Sequence, residues 1–203
     1  MATNKDVVHA GERRLAVEVA ELFPLQKEWN EEAYFALPDT NRFIELYQRE
    51  LIMPPHPTDR HQQVVGKVYR LFSDFVEGRH LGIVRVAPLP VRLGPGHIRE
   101  PDVLLVVNEH ADRIRDQYWG PPDLAVEVVS PSTRKADCEE KLREYARAGI
   151  LEYWLLDPET ETIRVYVLHK RAYRLWAEAS RRGTVISQLL TGFELHIDEV
   201  FAK

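Results

Sequence analysis

The segment Leu124-Ala125-Val126-Glu127-Val128-Val129 determines the fold that we predict for this chain. It is an almost continuous aliphatic run, which is typical of a strand covered on both faces in a central sheet. Asp102–Val107 is a second run of this kind, and we expect the two strands to lie in the same sheet. Because side chains alternate along a strand, Glu127 shares its face with Ala125 and Val129. The sequence therefore places a carboxylate inside an apolar sheet.

Helical and strand patterns alternate on both sides of these two runs. Thr58 or Asp59 is suited to cap a long amphipathic helix, and Gly149 is a typical residue just past a helix C-terminus. Together the patterns predict an α/β sandwich with a mixed sheet. The other elements that we predict are strands at Phe43–Met53, Gly82–Ala87, Leu89–Leu93, Glu152–Leu156, Thr162–Leu168 and Tyr173–Ala177, a short helix from Asn30, and a helix from Thr133 to Ala148.

Composition and charge limit the classes of protein to which this chain can belong. It has 203 residues, of which 44% are apolar and 29% charged, as in an ordinary globular domain. Its apolar runs are far shorter than the ~20 residues that span a bilayer, so we expect no membrane segment. The 27 Lys and Arg residues against 32 Asp and Glu give a net charge of −5, which is not that of a basic nucleic-acid wrapper. The single cysteine, Cys138, and the polar start Met1–Gly11 favour a cytoplasmic location.

The chain is predicted to consist of an extension and one domain. Leu15, Val19 and Leu22 recur at helical spacing, so residues 1–27 are predicted to form an N-terminal helical extension. Residues 28–203 are predicted to form a single compact domain.

Glu127 and Asp102 are the acids that stand out against this pattern. A lone ionised carboxylate in the sheet interior would cost several kcal/mol by order of magnitude unless it were paired, protonated or bound to a metal. An edge strand or an Arg or Lys partner would satisfy Glu127 without any function, and Pro101-Asp102 is also a common turn or strand entry. Two adjacent strands with one carboxylate each could instead present oxygen ligands to Mg²⁺ or Mn²⁺. The backbone carbonyl of Val128 is a further candidate donor.

Asp137, Lys141 and Tyr145 lie along one stripe of the helix that follows Glu127. An ordinary surface ion pair worth a few tenths of a kcal/mol would explain Asp137 and Lys141. However, the helix follows directly from the strand, which brings its first turns close to Glu127. A hard cation lowers the pKa of a bound water, and a lysine beside it stabilises charge on a phosphoryl group or orients the water. This set suits phosphodiester hydrolysis, with Asp137 holding Lys141 in place.

These residues resemble a known nuclease motif. Pro101-Asp102 followed by Glu127-X-Val129 resembles Pro-Asp…(Asp/Glu)-X-Lys, with valine where the lysine usually stands. More closely, the chain from Trp29 to about Leu168 is similar to the Uma-two family of restriction-endonuclease-like proteins. The matching segments are Trp29–Glu32, Glu50–Pro55, Arg60-His61, Val91–Gly96, Arg99–Asp102 and Pro122–Thr133, followed by Asp137, Lys141, Tyr145, Gly149 and Glu152–Pro158.

The resemblance implies a restriction-endonuclease-like α-β-β-β-α-β core with a mixed central sheet flanked by helices. It implies that Asp102 and Glu127 bind the metal and that Lys141, on the helix, replaces the motif lysine. Glu50 matches an acid on the first strand and could be a further ligand or support, although Gln48-Arg49 stands where a glycine commonly precedes it. His61 matches a recurrent histidine, for which a packing or capping role is equally consistent with the sequence.

The sequence therefore predicts a DNA endonuclease that depends on Mg²⁺ or Mn²⁺. Asp102, Glu127 and Val128 would bind the ion, Lys141 would assist the chemistry, and Glu50, His61, Asp137 and Tyr145 would support the site. The rival hypothesis is a non-catalytic module that binds nucleic acid or protein, although a site freed from chemistry gains stability by losing buried charge. A hydrolase of another phosphoester is a third. A homodimer would offset the negative charge by gathering basic residues around one cleft, the candidates being Arg60, Lys67, Arg92, Arg99, Arg134 and Lys135.

Overall fold

The two aliphatic runs form the centre of a six-stranded sheet. A computed structural model describes residues 28–37 and 43–202, so the predicted extension at residues 1–27 lies outside the described residues. In chain order the elements are α1 (Glu31–Phe35), β1 (Glu45–Tyr47), β2 (Glu50–Ile52), α2 (Asp59–Gly78), β3 (Gly82–Val86), β4 (Val91–Gly94), β5 (His97–Arg99), β6 (Val103–Val107), a 3₁₀ segment (Asn108–Arg113), β7 (Leu124–Val128), a π-helical segment (Ala136–Glu140), α3 (Lys141–Ala148), β8 (Glu152–Asp157), β9 (Thr162–His169), β10 (Ala172–Ser180), β11 (Thr184–Ile186), β12 (Glu194–His196) and α4 (Ile197–Phe201).

The central sheet has the strand order β10-β9-β8-β7-β6-β3. All neighbours are antiparallel except β7 and β8, which are parallel because the helix α3 connects them. Every residue of β7 is buried, as its aliphatic sequence predicts. The mixed α/β sandwich with a mixed central sheet and flanking helices is therefore confirmed.

The two faces of the central sheet bury different sets of side chains. Val126 and its alternate neighbours pack with the apolar side of α2, whose buried residues include Val68 and Phe72. Ala125 and Val129 lie on the opposite face, in a cluster with Tyr145 of α3. Glu127 belongs to this second face by strand alternation, so α3 covers the face that carries the carboxylate.

A second sheet, with the order β2-β1-β5-β4, replaces part of the predicted strand arrangement. The single strand predicted over Phe43–Met53 is wrong, because the chain reverses at Gln48 and Arg49 to form a β1–β2 hairpin. Both turn residues have positive φ, 50° and 68°, without the Asn-Gly or Asp-Gly signal that usually marks such a turn. The strand predicted at Leu89–Leu93 corresponds to β4, which lies in this second sheet.

Both predicted helix starts and the later helix are confirmed. Thr58 caps α2 by accepting a hydrogen bond from the backbone N–H of His61, and Asn30 caps α1 in the same way through Ala33. The helix predicted from Thr133 to Ala148 is present but contains the π-helical segment, and Gly149 ends it with a φ of 84°. Among the described residues, no helix is long and apolar enough to cross a membrane.

Candidate active site

A cavity of about 310 Å³ opens where the C-terminal end of β7 meets the first turns of α2 and the helix after β7. Asp102, Glu127 and Lys141 all line it, although they come from three different elements. Five further residues discussed below share its walls: Val128, His61 and Asp137, which were predicted, and Glu45 and Glu100, which were not. The chain thus brings together the three residues to which the sequence assigns the chemistry.

Glu127 is held by two partners on the helix that covers it. Its Oε2 lies 2.9 Å from Nζ of Lys141, and its Oε1 accepts a hydrogen bond of 2.5 Å from the hydroxyl of Tyr145. Lys141 also lies 3.1 Å from Oδ1 of Asp137, one turn earlier. Glu127 is 3% exposed and Lys141 7%. The predicted stripe on this helix therefore points at the carboxylate, with Asp137 beside the lysine as expected.

Burial and neighbouring charges act against each other in this pair. Burial raises the pKa of Glu127 well above its ordinary value, while the Lys141 ammonium favours the ionised carboxylate. Burial lowers the pKa of Lys141, but the carboxylates of Glu127, Glu45 and Asp137 outweigh it and raise that pKa. The lysine is consequently a cation throughout the physiological pH range.

The π-helical segment Ala136–Glu140 lies directly before Lys141. The backbone N–H of Lys141 bonds to the carbonyl of Ala136, five residues back, and so widens this turn of the helix. Asp137 lies within the wide turn and is 1% exposed. Such π-turns are often found at functional sites.

Asp102 lies immediately before β6 and joins that strand to β7. Its Oδ2 accepts a hydrogen bond of 2.7 Å from the backbone N–H of Val128 and lies 3.3 Å from Nε2 of His61. Burial lowers the pKa of His61, but hydrogen bonding to Asp102 and the Val128 backbone and the charge of Asp102 outweigh it and raise that pKa.

Two acids in the cavity, Glu45 and Glu100, were not predicted. Glu45 is 4% exposed, and its Oε1 lies 3.9 Å from Nζ of Lys141. Glu100 is 9% exposed, and burial together with the charge of Glu45 raises its pKa to about 8. Glu45 interrupts the apolar stretch Phe43-Ile44-Glu45-Leu46-Tyr47, which is the same signal that identified Glu127. Glu100 carries no comparable signal, because only the fold turns it toward the cavity.

The structure places Glu50 elsewhere. It lies on β2, opposite Tyr47, is partly exposed, and is not among the described residues that line the cavity. Its role as a ligand or support stays a prediction, while Glu45, on the preceding strand, occupies the cavity.

Arg99 is not available to bind DNA, contrary to the expectation for it. It is 2% exposed, and its guanidinium bonds Glu45 at 2.7 Å and Glu144 at 2.8 and 2.9 Å. A buried arginine between two acids stabilises the wall of the site by ion pairing. Four other predicted DNA-binding cations also have partners within the chain: Arg60 with Gln63 and the Phe201 carbonyl, Lys67 with the Ala202 carbonyl, Arg92 with Glu31, and Arg134 with Asp157 and Glu159.

The cavity has the chemistry of a cation site. Glu45, Glu100, Asp102, Glu127 and Asp137 contribute five carboxyl groups to its wall, and Lys141, His61 and the exposed His56 are its basic groups. Oε2 of Glu100 and Nδ1 of His61 are buried without a hydrogen-bond partner, and so is Oδ1 of Asp137 despite its ion pair. Buried polar atoms of this kind require a partner, and oxygen donors suit Mg²⁺ or Mn²⁺. Within residues 28–37 and 43–202 no three His, Cys, Asp or Glu side chains are arranged to hold a metal, so backbone and water would complete its shell.

A mixed α/β sheet with a buried acid–lysine cluster at the end of its central strands defines a nuclease-like fold. The chain is similar to a solved structure described as a "putative nuclease belonging to DUF820 from Anabaena variabilis ATCC 29413", with a TM-score of 0.71, 18% identity, and coverage of 86% of this chain and 98% of that chain. This likeness shows the fold. The model of the Uma2 family, described as "Putative restriction endonuclease", matches residues 31–198, and the chain belongs to that family. No match was found among curated proteins.

Proposed function

We propose that this protein is a divalent-metal-dependent endonuclease that hydrolyses DNA phosphodiester bonds. The observation that carries the proposal is the position of Lys141, 2.9 Å from Glu127 and in one cavity with Asp102. A structural ion pair needs only one acid. Here the buried Lys141 ammonium lies against both Glu127 and Asp137, and Asp102 lines the same cavity, so the acids outnumber the lysine and a divalent cation would balance them.

Asp102, Glu127 and the carbonyl of Val128 are the groups that we propose to hold Mg²⁺ or Mn²⁺. The bound ion would polarise a phosphoryl oxygen and lower the pKa of a water molecule. Lys141 would place its ammonium against the charge that develops on the phosphoryl group, or would orient the attacking water. Its raised pKa keeps it in the cationic form that either role requires.

Tyr145 and Asp137 are proposed as positioning residues. The Tyr145 hydroxyl fixes one oxygen of Glu127, and Asp137 fixes the Lys141 ammonium from the preceding helical turn. Each is buried, so neither side chain can easily take another rotamer. Because the carboxylate and the ammonium are already held in position, these side chains need not rearrange during the reaction.

We also propose that the substrate is DNA, that the protein acts as a homodimer and that it is located in the cytoplasm. The net charge is −5, and five of the six cations predicted to contact DNA are engaged within the chain, the exception being the exposed Lys135. A homodimer with both sites on one cleft would double the number of cations at that cleft. It would also allow each site to act on one DNA strand.

The test is nicking of supercoiled plasmid by the purified protein with Mg²⁺ or Mn²⁺. We expect wild type to nick DNA only with a divalent ion, and Glu127→Gln and Lys141→Met to be slower by about 100-fold or more. Glu159→Gln, at an exposed position near the end of β8, is the matched control and should behave as wild type. Absence of nicking by wild type with either ion contradicts the proposal. If the protein binds DNA in the absence of metal and does not cleave it, the non-catalytic module is favoured instead. The contacts among Glu127, Lys141 and Tyr145 would then be purely structural.

A further inference from the structure

His61 lines the cavity beside Asp102, one of the proposed metal-binding residues. It is the third residue of α2, and its backbone N–H bonds to the Thr58 cap at 3.2 Å, which fixes the position of its Cα. Its side chain is 13% exposed and lies against the Asp102 carboxylate. A capping role does not explain this, because the Thr58 side chain supplies the cap and the imidazole lies against Asp102 in the cavity.

The separation of His61 from Asp102 is that of two ligands of one ion. Nε2 of His61 lies 3.3 Å from Oδ2 of Asp102. Neighbouring ligands of an octahedral ion at roughly 2.1 Å from the metal lie about 3.0 Å apart. The imidazole and the carboxylate are thus spaced so that a small adjustment would let both bind one cation. His61 and Asp102 together with the Val128 carbonyl form a set of one nitrogen and two oxygen donors.

Glu127 differs from these groups in its surroundings. Lys141 and Tyr145 already hold both of its oxygens, whereas Asp102 has one backbone donor and the imidazole. The side of the cavity next to Asp102 is therefore where an incoming cation meets fewer competing donors. His61 is on that side.

We infer that His61 is a nitrogen ligand of the bound cation, and that the site consequently prefers a first-row transition ion such as Mn²⁺ to Mg²⁺. This inference rests on the proposed metal site. Mg²⁺ takes oxygen ligands almost exclusively, whereas imidazole is a good ligand for transition ions. The nitrogen ligand therefore sets which ion occupies the site.

The direct test is pulsed electron paramagnetic resonance of Mn²⁺ bound to the full chain. We expect a ¹⁴N coupling from a directly bound imidazole, which changes to a ¹⁵N coupling when the wild-type protein is labelled with ¹⁵N-histidine. The His61→Gln variant should lose the coupling, and its Mn²⁺ affinity should fall about 10-fold or more while its Mg²⁺ affinity changes less than threefold. His56→Gln is the matched control, because His56 is an exposed histidine that lines the same cavity.

The outcomes separate this inference from the metal site itself. Mn²⁺ that binds wild type but not Asp102→Ala, with no histidine coupling, overturns the role of His61 and leaves the metal site standing. A coupling that persists in His61→Gln and disappears in His56→Gln also overturns it. Failure of Mn²⁺ to bind wild type, or binding that is indifferent to Asp102→Ala, contradicts the proposed metal site as a whole.

Discussion

Replacing Glu100 with glutamine is expected to remove part of the pH dependence of folding. Burial and the charge of Glu45 raise the pKa of Glu100 from 4.5 to about 8. Between these two values the folded protein holds a proton that the unfolded chain has released, so the free energy of unfolding falls as pH rises. Glutamine cannot ionise, and the variant should therefore lack this contribution.

The size of the effect follows from the pKa difference. Each pKa unit corresponds to about 1.36 kcal/mol, so the difference of about 3.5 units amounts to about 5 kcal/mol once the pH exceeds 8. Between pH 5 and pH 8 the loss is about 4 kcal/mol. Since Glu100 is 9% exposed, solvent screens this effect only weakly.

The assay is urea denaturation followed by tryptophan fluorescence, with EDTA present, at several pH values from 5 to 8. Wild type should lose about 4 kcal/mol more stability over this range than Glu100→Gln. Glu50→Gln is the matched control, because Glu50 is a partly exposed glutamate on β2 and does not line the cavity. Equal pH dependence of wild type and Glu100→Gln would refute the assignment of a buried, protonated carboxyl at Glu100.

Three further predictions concern buried polar groups that stabilise the fold, two of them at the site and the third, Glu152, at the opposite end of the central strands. Arg99→Met should destabilise the protein by about 3–5 kcal/mol in thermal or urea denaturation, because Glu45 and Glu144 lose their buried cation; a loss below 1 kcal/mol would contradict this. Tyr145→Phe should lower the free energy of unfolding by about 1–2 kcal/mol and slow metal-dependent nicking, because Glu127 loses a hydrogen-bond donor. Unchanged nicking would exclude a positioning role for the hydroxyl. Glu152→Gln should lower the free energy of unfolding by about 2–4 kcal/mol and speed proteolysis of the C-terminal segment that contains residues 187–189. Proteolysis at the wild-type rate would contradict this. The basis is that the Glu152 carboxylate accepts hydrogen bonds from Trp154, Ser187, Gln188 and Leu189.

The local sequence pattern was sufficient to predict that Glu127, Lys141 and Tyr145 lie together, because they are on a strand and on the helix that follows it. The alternation of β7 places Glu127 on one face, and the helix that follows must start near the end of that strand, which brings in Lys141 and Tyr145. Only side-chain periodicity and chain continuity are needed for this. The same reasoning applied to Phe43–Tyr47 would have identified Glu45.

Long-range pairing determines the rest, which the sequence could not reveal. Arg99 resembles a surface cation until β5 pairs with β1 and places it between Glu45 and Glu144. Glu100 enters the cavity for the same reason. The hairpin turn at Gln48-Arg49 adopts positive φ without glycine, so a turn of this type was not expected there.

The central claim is that Glu127 and Lys141 act as one catalytic unit in a metal-dependent reaction. The most direct measurement compares nicking rate constants for Glu127→Gln, Lys141→Met and the double variant, with Mn²⁺ at saturation. If the two residues act as a unit, the double variant should be no slower than the slower single variant, because removal of either already abolishes the shared function. Losses that multiply in the double variant, or single variants as fast as wild type, would contradict the claim.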